Sequence, residues 1–205
     1  MAGLTESQLE NLRNDIVFDC SLLGYPFRFH STWGIFSPRE IDRGTLLLLD
    51  HLEIATTDDC LDIGCGYGPL GLAMARAADG GESHLLDKDF VAVDYARKNA
   101  VLNNIDNVRI YLSNGFSAVD PDTRFDLVVS NLPAKAGKEL FYLYFYDARA
   151  RMRPGARFYV VTINGLRQYI KRAFTEVFGN YKKIKQGRDY TVSMAELDPD
   201  YKSPL

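Results

Sequence analysis

The run LDIGCGYG at residues 61–68 constrains this chain more than any other feature, because it places three glycines at alternate positions. The apolar residues before the glycines predict a strand, and residues 69–78 predict a helix directly after them. Glycine lets the backbone bend sharply and leaves no Cβ between the turn and a ligand. The first amides of the following helix point at whatever lies above the turn. The pattern therefore predicts a strand–turn–helix unit that holds an adenosine-bearing cofactor.

Composition narrows the class of protein. The 205 residues are 46% hydrophobic and 25% charged, which suits one globular domain with a sizeable core. No apolar run reaches the roughly 18–20 residues that a membrane span needs, and residues 1–6 lack the features of a signal peptide, so we expect a cytoplasmic protein with no membrane partner. A net charge of −3 argues against coating nucleic acid by bulk charge, but leaves room for a local basic patch.

The cysteines and histidines give no metal pattern. Cys20, Cys60 and Cys65 are an odd count without metal-type spacing, and we interpret them as reduced thiols that pack in the interior. The three histidines likewise show neither metal nor triad spacing, so no metal site is expected.

The remaining sequence predicts a short N-terminal extension followed by alternating strands and helices. The extension contains a helix over 5–14 and a hairpin of strands 16–22 and 25–30. Further strands are predicted over 60–63, 84–87, 108–112, 125–130, 157–163, 181–185 and 190–196. Helices are predicted up to about residue 51 and over 69–78, 90–103, 138–152 and 166–178. The helix over 138–152 should bury Leu140, Leu143, Tyr144 and Ala148 and end at Arg153-Pro154-Gly155.

This alternation predicts an α/β fold with a doubly wound, mostly parallel, seven-stranded sheet. Only a short loop around Gln186-Gly187 joins the last two strands, and a parallel crossover needs about a dozen residues. One late strand should therefore run antiparallel. We divide the chain into an N-terminal extension (1–43, helix, hairpin and lid-like loop), a cofactor-binding domain (44–198) and a loose tail (199–205).

In a doubly wound sheet, ligands bind beyond the carboxyl ends of the strands. Asp87 ends the second predicted sheet strand about 20 residues after the glycines, where a carboxylate accepts both ribose hydroxyls; the alternative is a solvated aspartate ahead of Lys88. A nicotinamide oxidoreductase is disfavoured because Pro69 occupies the position of the third glycine of its G-x-G-x-x-G pattern.

Residues 62–66 and their partners resemble class I S-adenosylmethionine-dependent methyltransferases. Asp62 with the glycine run resembles motif I of that class, Asp87 matches its ribose-binding acid, and Asn114 falls where the class places a residue beside adenine. Residues 34–37 with Asp42, Gly44 and the leucine-rich helix are similar to the segment before motif I in the "methyltransferase small" group, which includes small-subunit rRNA guanine-N2 methyltransferases. The resemblance covers residues 30–197 and implies the Rossmann-like methyltransferase fold.

The resemblance also implies the roles of individual residues. Asn131-Leu132-Pro133-Ala134 stands where many amine methyltransferases carry Asn-Pro-Pro-aromatic, which makes Asn131, Leu132 and Pro133 the expected catalytic residues. The Asn131 side-chain oxygen and the Leu132 carbonyl would accept the two N–H groups of the amine and aim its lone pair, while Pro133 fixes the turn. The residues expected to bind S-adenosylmethionine are Phe36, Asp62, Gly64, Cys65, Gly66, Gly68, Asp87, Lys88, Asn114, Gly115 and Asn131.

The sequence leaves several candidates for the methyl acceptor. The resemblance favours a guanine amine in rRNA, so RNA is the expected partner. Ala134, however, lacks the ring that would stack on a base. Phe36 from the N-terminal loop could supply an aromatic wall, and Lys135 and Lys138 could contact phosphate or simply be solvated. The rival readings are N-methylation of a protein side chain or a small molecule, and a cofactor-binding module without transfer activity.

Overall fold

The computed structural model describes residues 3–134 and 137–204. Its helices are α1 (Glu6–Arg13), α2 (Arg43–Leu49), α3 (Pro69–Ala77), α4 (Phe90–Leu102), α5 (Lys138–Arg149) and α6 (Arg167–Phe178). Its strands are β1 (Ile16–Leu22), β2 (Tyr25–Ser31), β3 (Cys60–Ile63), β4 (Ser83–Asp87), β5 (Val108–Leu112), β6 (Phe125–Asn131), β7 (Met152–Ile163), β8 (Lys182–Gln186) and β9 (Tyr190–Glu196). The predicted elements are all present, most of them within two residues of the predicted bounds.

The seven strands β3 to β9 form one sheet in the order β5-β4-β3-β6-β7-β9-β8. β3 pairs in parallel with β4 on one side and β6 on the other, so the direction of winding reverses between β3 and β6. β9 is antiparallel to both β7 and β8. The predicted fold class and the predicted late antiparallel strand are confirmed.

Each face of the sheet carries its own apolar layer. α2, α3 and α4 pack with the hairpin β1–β2 on one face, and α5 and α6 pack on the other. The second layer is rich in aromatic rings: Phe145 lies 4.9 Å from Phe174 and 5.6 Å from Phe158 between ring centroids. Burial of these rings supplies much of the driving force for docking α5 and α6.

The hairpin β1–β2 is fastened to α4 by two asparagines. Asn99, which is fully buried, accepts the His30 N–H at 2.8 Å and donates to the His30 carbonyl at 2.9 Å. Asn103, one turn later, makes the same pair of bonds with Arg28. Alternate backbone groups of the outer edge of β2 are therefore satisfied by side chains of one helix face.

Three local predictions were wrong. α5 ends at Arg149 rather than near Met152, and Arg153, Pro154 and Gly155 lie within β7. A register shift opposite Phe125–Leu127 accommodates the proline and the positive φ of Gly155, and Arg153 is held there by ion pairs with Asp59 and Asp126.

The buried face of α5 is also rotated from the predicted one. Phe141, Phe145 and Ala148 are buried, whereas Leu143 is 61% exposed. The phenylalanine rings occupy the interior because each buries more apolar area than a leucine side chain.

The third difference is at the end of the chain. Residues 199–204 are not a loose tail throughout, because the Tyr201 hydroxyl donates to the Thr175 and Glu176 carbonyls of α6 and its ring covers Gly179.

Gly71 lets α3 lie against β4. A Cβ at this position would lie 2.4 Å from Leu85 Cγ and 2.8 Å from both Leu85 Cδ atoms. We predict that Gly71→Ala lowers the free energy of unfolding by about 1–3 kcal/mol, although alanine is the better helix former. Urea unfolding measures this. Gly165→Ala is the control, since the nearest atom there is 4.0 Å away; equal stability of the two variants would contradict the packing argument.

Candidate active site

The glycine turn after β3 has the conformation that its sequence requires. Gly64, Gly66 and Gly68 have φ values of +76°, +57° and +100°, a region that L side chains rarely adopt. A Cβ on Gly64 or Gly66 would meet no atom within 4 Å, so the backbone of the turn faces open space. The amides of Gly64 and Cys65 both donate to the Leu86 carbonyl, which ties the turn to β4. The turn is thus rigid on its protein side and open on the other.

Asp87 lies beside this turn, as the sequence predicts. Its Oδ2 accepts the Gly66 N–H at 2.9 Å, and its Oδ1 accepts the Asp89 N–H at 2.9 Å. The carboxylate is half-buried and keeps lone pairs for further donors. Lys88, next along the chain, is exposed at the same edge.

Asp62 is brought to the same place but faces inward. It is 1% exposed, and its Oδ2 accepts the Gly71 N–H at 2.9 Å, so it joins β3 to the first turn of α3. Burial raises the pKa of Asp62 to about 7, and the negative charge of Asp87 adds to that rise. Direct contact between Asp62 and a cofactor stays a prediction; the visible role of its side chain is to fix the helix behind the turn.

The loop after β5 forms the neighbouring wall. Gly115 has a φ of +58°, and a Cβ there would lie 3.5 Å from the Tyr144 ring of α5. Ser113 Oγ donates to the Gly115 carbonyl at 2.7 Å and holds the bend, while Asn114 is exposed. Tyr144 was predicted only as a packing residue, yet it adjoins the loop predicted to flank adenine.

The N-terminal loop is anchored to the glycine turn by Tyr67. The buried Tyr67 hydroxyl donates to the carbonyls of Ser37 and Glu40, at 3.1 and 3.3 Å. Asn99 donates in turn to the Tyr67 carbonyl at 2.9 Å. Phe36, in this loop, is 67% exposed and so has a free ring at the surface beside the turn. Sequence reasoning missed Tyr67 and Asn99, although a polar residue on the otherwise apolar face of α4 was a visible signal.

Asn131 ends β6 across the winding reversal from the glycine turn. Its Nδ2 donates to Asp42 Oδ2 at 2.9 Å and to Thr45 Oγ1 at 3.0 Å. Both amide hydrogens are therefore used, and in residues 3–134 and 137–204 no donor reaches its Oδ1. Ser130, just before it, donates to the Ile63 carbonyl at 2.7 Å and joins the ends of β6 and β3.

The residues after Asn131 form an open elbow. Leu132 is buried and its N–H donates to the Val161 carbonyl, whereas Pro133 and Ala134 are exposed. Lys135 lies outside the described residues. Lys138 is the first residue of α5, with its ammonium 5.4 Å from the centroid of the Tyr169 ring.

Neither a metal-ligand cluster nor a membrane-spanning helix is present among the described residues. In the part of the chain that the structure describes, no group of three or more His, Cys, Asp or Glu side chains could hold a metal ion. Within the same residues, every helix is too short or too polar to cross a bilayer.

The glycine turn, the strand-end acid Asp87 and Asn131 follow the strands on either side of the winding reversal. This is the edge of a doubly wound sheet at which α/β proteins of the nucleotide-cofactor class bind their ligands. The sequence profile described as Methyltransferase small domain matches residues 26–194. The chain belongs to this family, and the resemblance inferred from its motifs is confirmed.

Individual relatives agree with the family. YbxB of Bacillus subtilis (strain 168) is 36% identical over 136 residues, which are 66% of this chain and 68% of YbxB. Ribosomal RNA small subunit methyltransferase C of Hamiltonella defensa is 30% identical over 168 residues, which are 80% of this chain and 48% of that protein.

A solved structure gives the same fold. The 16S rRNA N2 G1207 methyltransferase of T. thermophilus, in complex with AdoMet and guanosine, superposes with a TM-score of 0.81 at 29% identity. The match covers 89% of this chain and 50% of that one, so this chain spans about half the length of the rRNA methyltransferases it matches.

The buried Asp62 gives a pH test. Its carboxyl titrates near pH 7 in the folded protein against 3.8 ordinarily, so between these values the folded state holds a proton that the unfolded chain has lost. The free energy of unfolding should therefore fall as pH rises through that window, by up to a few kcal/mol. Asp62→Asn keeps an acceptor for Gly71 and removes the titration.

Urea unfolding of both proteins at about pH 4, 5.5 and 7.5 measures the effect. The difference between wild type and variant is the informative quantity, because Asp59 and Glu82, whose pKa values are lowered, give the opposite slope in both proteins. We expect the variant to gain stability relative to wild type as pH rises; a difference that does not change with pH would exclude the buried titration.

Proposed function

We propose that this chain is an S-adenosylmethionine-dependent methyltransferase that N-methylates an amine, the acceptor being the exocyclic amine of a guanine in ribosomal RNA. The observation that carries the proposal is the Asn131 amide, whose two hydrogens are engaged by Asp42 and Thr45 so that its oxygen is left to accept. An acceptor at this strand end, across from a glycine turn and a ribose-type acid, suits a donor N–H group better than a carbonyl or phosphate substrate.

The residues at the carboxyl ends of the strands fit this cofactor. The Gly64–Gly68 backbone, open above Gly64 and Gly66, would hold the methionine part, and Asp87 would accept the ribose hydroxyls. Asn114 and the Gly115 amide would flank adenine, and Phe36, Cys65 and Lys88 complete the proposed contacts. When bound, S-adenosylmethionine supplies a methyl group on a sulfonium that is open to nucleophilic displacement.

The chain's own contribution is to orient the amine. The lone pair of an exocyclic amine is delocalised into its ring, and acceptors for both N–H groups localise it. The Asn131 oxygen and the Leu132 carbonyl would be these acceptors. Pro133 would fix the conformation of the turn that follows them. Orientation alone can supply several kcal/mol of the barrier, so no strong base is needed; the proton released after transfer can leave to water.

Two lines of support favour RNA as the methyl acceptor: the names of the relatives, and the exposed aromatic and basic residues of the N-terminal loop. Two of the relatives described above are named as ribosomal RNA methyltransferases, one of them with guanosine bound. Ala134 offers no ring for a base, but Trp33 and Phe36 are exposed in the N-terminal loop, and the Arg39 guanidinium lies 4.5 Å from the Trp33 ring centroid. Such rings and cations are the groups that stack on bases and contact phosphate.

The cellular location and the division of the chain into parts are proposed together with the activity. An enzyme acting on ribosomal RNA would work in the cytoplasm. The division into an extension (1–43), a catalytic domain (44–198) and a tail (199–205) stays part of the proposal, with the extension supplying the loop that borders the crevice.

Removal of the ribose acid should weaken cofactor binding. Hydrogen bonds to a charged group contribute about 1.5–3 kcal/mol each, so we predict that Asp87→Ala raises the Kd for S-adenosylmethionine by roughly 10- to 100-fold. Calorimetric titration measures this. The control is Asp94→Ala, which removes an exposed acid of α4 paired only weakly with Arg97 at 3.8 Å. An unchanged Kd for Asp87→Ala would remove Asp87 from the cofactor site.

The activity is tested with labelled methyl donor and fractionated cell extract. We predict that the wild-type protein places label in ribosomal RNA, on a guanine amine once the RNA is digested to nucleosides. Label found in cellular protein or in small molecules would show that the acceptor is not RNA. If the purified chain binds the donor but transfers no label, it is a cofactor-binding module rather than an enzyme.

Asn131→Ala is the matched variant. It should bind S-adenosylmethionine within about threefold of wild type and transfer label at least 100-fold more slowly, because it loses the acceptor that orients the amine. Asn11→Ala, in the exposed face of α1, is the control. Full turnover by Asn131→Ala would show that another group orients the amine.

A further inference from the structure

We infer that Asp42 is a positioning residue for methyl transfer: its carboxylate fixes which way the Asn131 amide faces. Asp42 precedes α2 and lies 89 positions before Asn131 in the sequence, yet Asn131 Nδ2 donates to its Oδ2 at 2.9 Å. This inference rests on the proposed function, because it assigns a role to a residue that acts through Asn131.

The carboxylate does more than a helix cap requires. Oδ2 accepts the N–H groups of Gly44 and Thr45 at 2.8 and 3.2 Å, which is ordinary N-capping. The same oxygen also accepts from Asn131, and Oδ1 accepts the Tyr190 hydroxyl at 3.2 Å. One side chain thus joins the start of α2, the end of β6 and the start of β9.

The neighbouring residues are shaped around this contact. A Cβ on Gly44 would lie 2.8 Å from Asp42 Oδ2 and 3.1 Å from the Tyr190 ring, so a residue with a side chain would displace the carboxylate. Glycine is a poor helix former, and its presence in the first turn of α2 is explained by this crowding. Thr45, also buried, presents its Oγ1 to the second hydrogen of Asn131 at 3.0 Å.

The chemistry of the pair decides the orientation. An asparagine amide has nearly the same shape when its oxygen and nitrogen are exchanged, so packing alone does not select between the two. A carboxylate accepts and cannot donate, so it selects the orientation in which Nδ2 faces Asp42 and Oδ1 faces away. In the opposite orientation Asn131 would present N–H groups to an incoming amine, which also carries N–H groups. Bonding to a charged acceptor also polarises the amide toward its oxygen.

Three substitutions separate this role from capping. Asp42→Ser keeps a good N-cap but is too short to reach Asn131 as well. Asp42→Asn keeps an oxygen at the reach of Oδ2 and should recover most of the activity that the serine variant loses. Thr45→Val removes the second acceptor of Asn131 while leaving the Asp42 cap in place, and gives a readout if Asp42→Ser does not fold.

The measurement is kcat for transfer of labelled methyl to ribosomal RNA, with the Kd for S-adenosylmethionine alongside. We expect Asp42→Ser to lower kcat at least tenfold with the Kd within about threefold, Thr45→Val to lower it less, and Asp42→Ser to have no further effect when Asn131 is already alanine. Effects of Asp42→Ser and Asn131→Ala that multiply would overturn the inference, as would an Asp42→Asn variant no more active than Asp42→Ser.

A spectroscopic readout is independent of activity. In wild-type protein the two side-chain amide protons of Asn131 should be shifted and slow to exchange with solvent. Asp42→Ser should move the proton bonded to Asp42 toward the value of a free asparagine amide, while the proton bonded to Thr45 keeps its acceptor. If the wild-type protein transfers no label, the proposed function fails while this readout still tests the contact. Side-chain amide signals that are the same in both proteins would overturn the inference by themselves.

Discussion

The reversal of winding between β3 and β6 is the constraint on which the rest of the structure depends. β3 and β6 are parallel neighbours, but the connection after β3 leads to one side of the sheet and the connection after β6 leads to the other. No connecting helix therefore covers the carboxyl ends of these two strands. Backbone amides, a strand-end acid and an asparagine therefore meet at one edge without any of them having been brought there by a long loop. Ser130, which bonds to the Ile63 carbonyl, keeps the two strand ends in register at that edge.

The N-terminal segment completes this edge from outside the sheet. Asn99 and Asn103 hold the hairpin on α4, and Tyr67 holds the following loop on the glycine turn. The chain then enters α2 with Asp42 beside Asn131. Segments that are distant in sequence are thus joined by polar contacts in which most donors and acceptors are paired, which restricts the arrangement to one geometry.

The sequence predicts the parts of this site that are local, and misses those that depend on contact across the fold. The glycine turn, the strand ahead of it and Asp87 follow from spacing and backbone stereochemistry, which act within a few residues. The bonds from Asn131 to Asp42 and Thr45 could not be predicted, because no local pattern says that α2 starts beside the end of β6. The inward orientation of Asp62 was missed for the same reason.

Errors in the elements have similar physical causes. The proline and glycine at 154 and 155 are ordinary helix-ending signals, but here a bulge in β7 accepts them because ion pairs from Arg153 hold the strand in place. On α5, an aromatic run leaves periodicity ambiguous, and only the shape of the space beside α6 selects Phe141 and Phe145 over Leu143.

The burial of Cys65 within the glycine turn has a consequence for the chemical durability of the site. Its thiol is almost inaccessible, and burial raises its pKa well above the usual value, so the thiolate is scarce at neutral pH. Since the thiolate is the reactive form, alkylating reagents and peroxide should attack this sulfur slowly. A sulfur atom lies buried within the glycine turn, yet the turn should keep its shape under oxidising conditions.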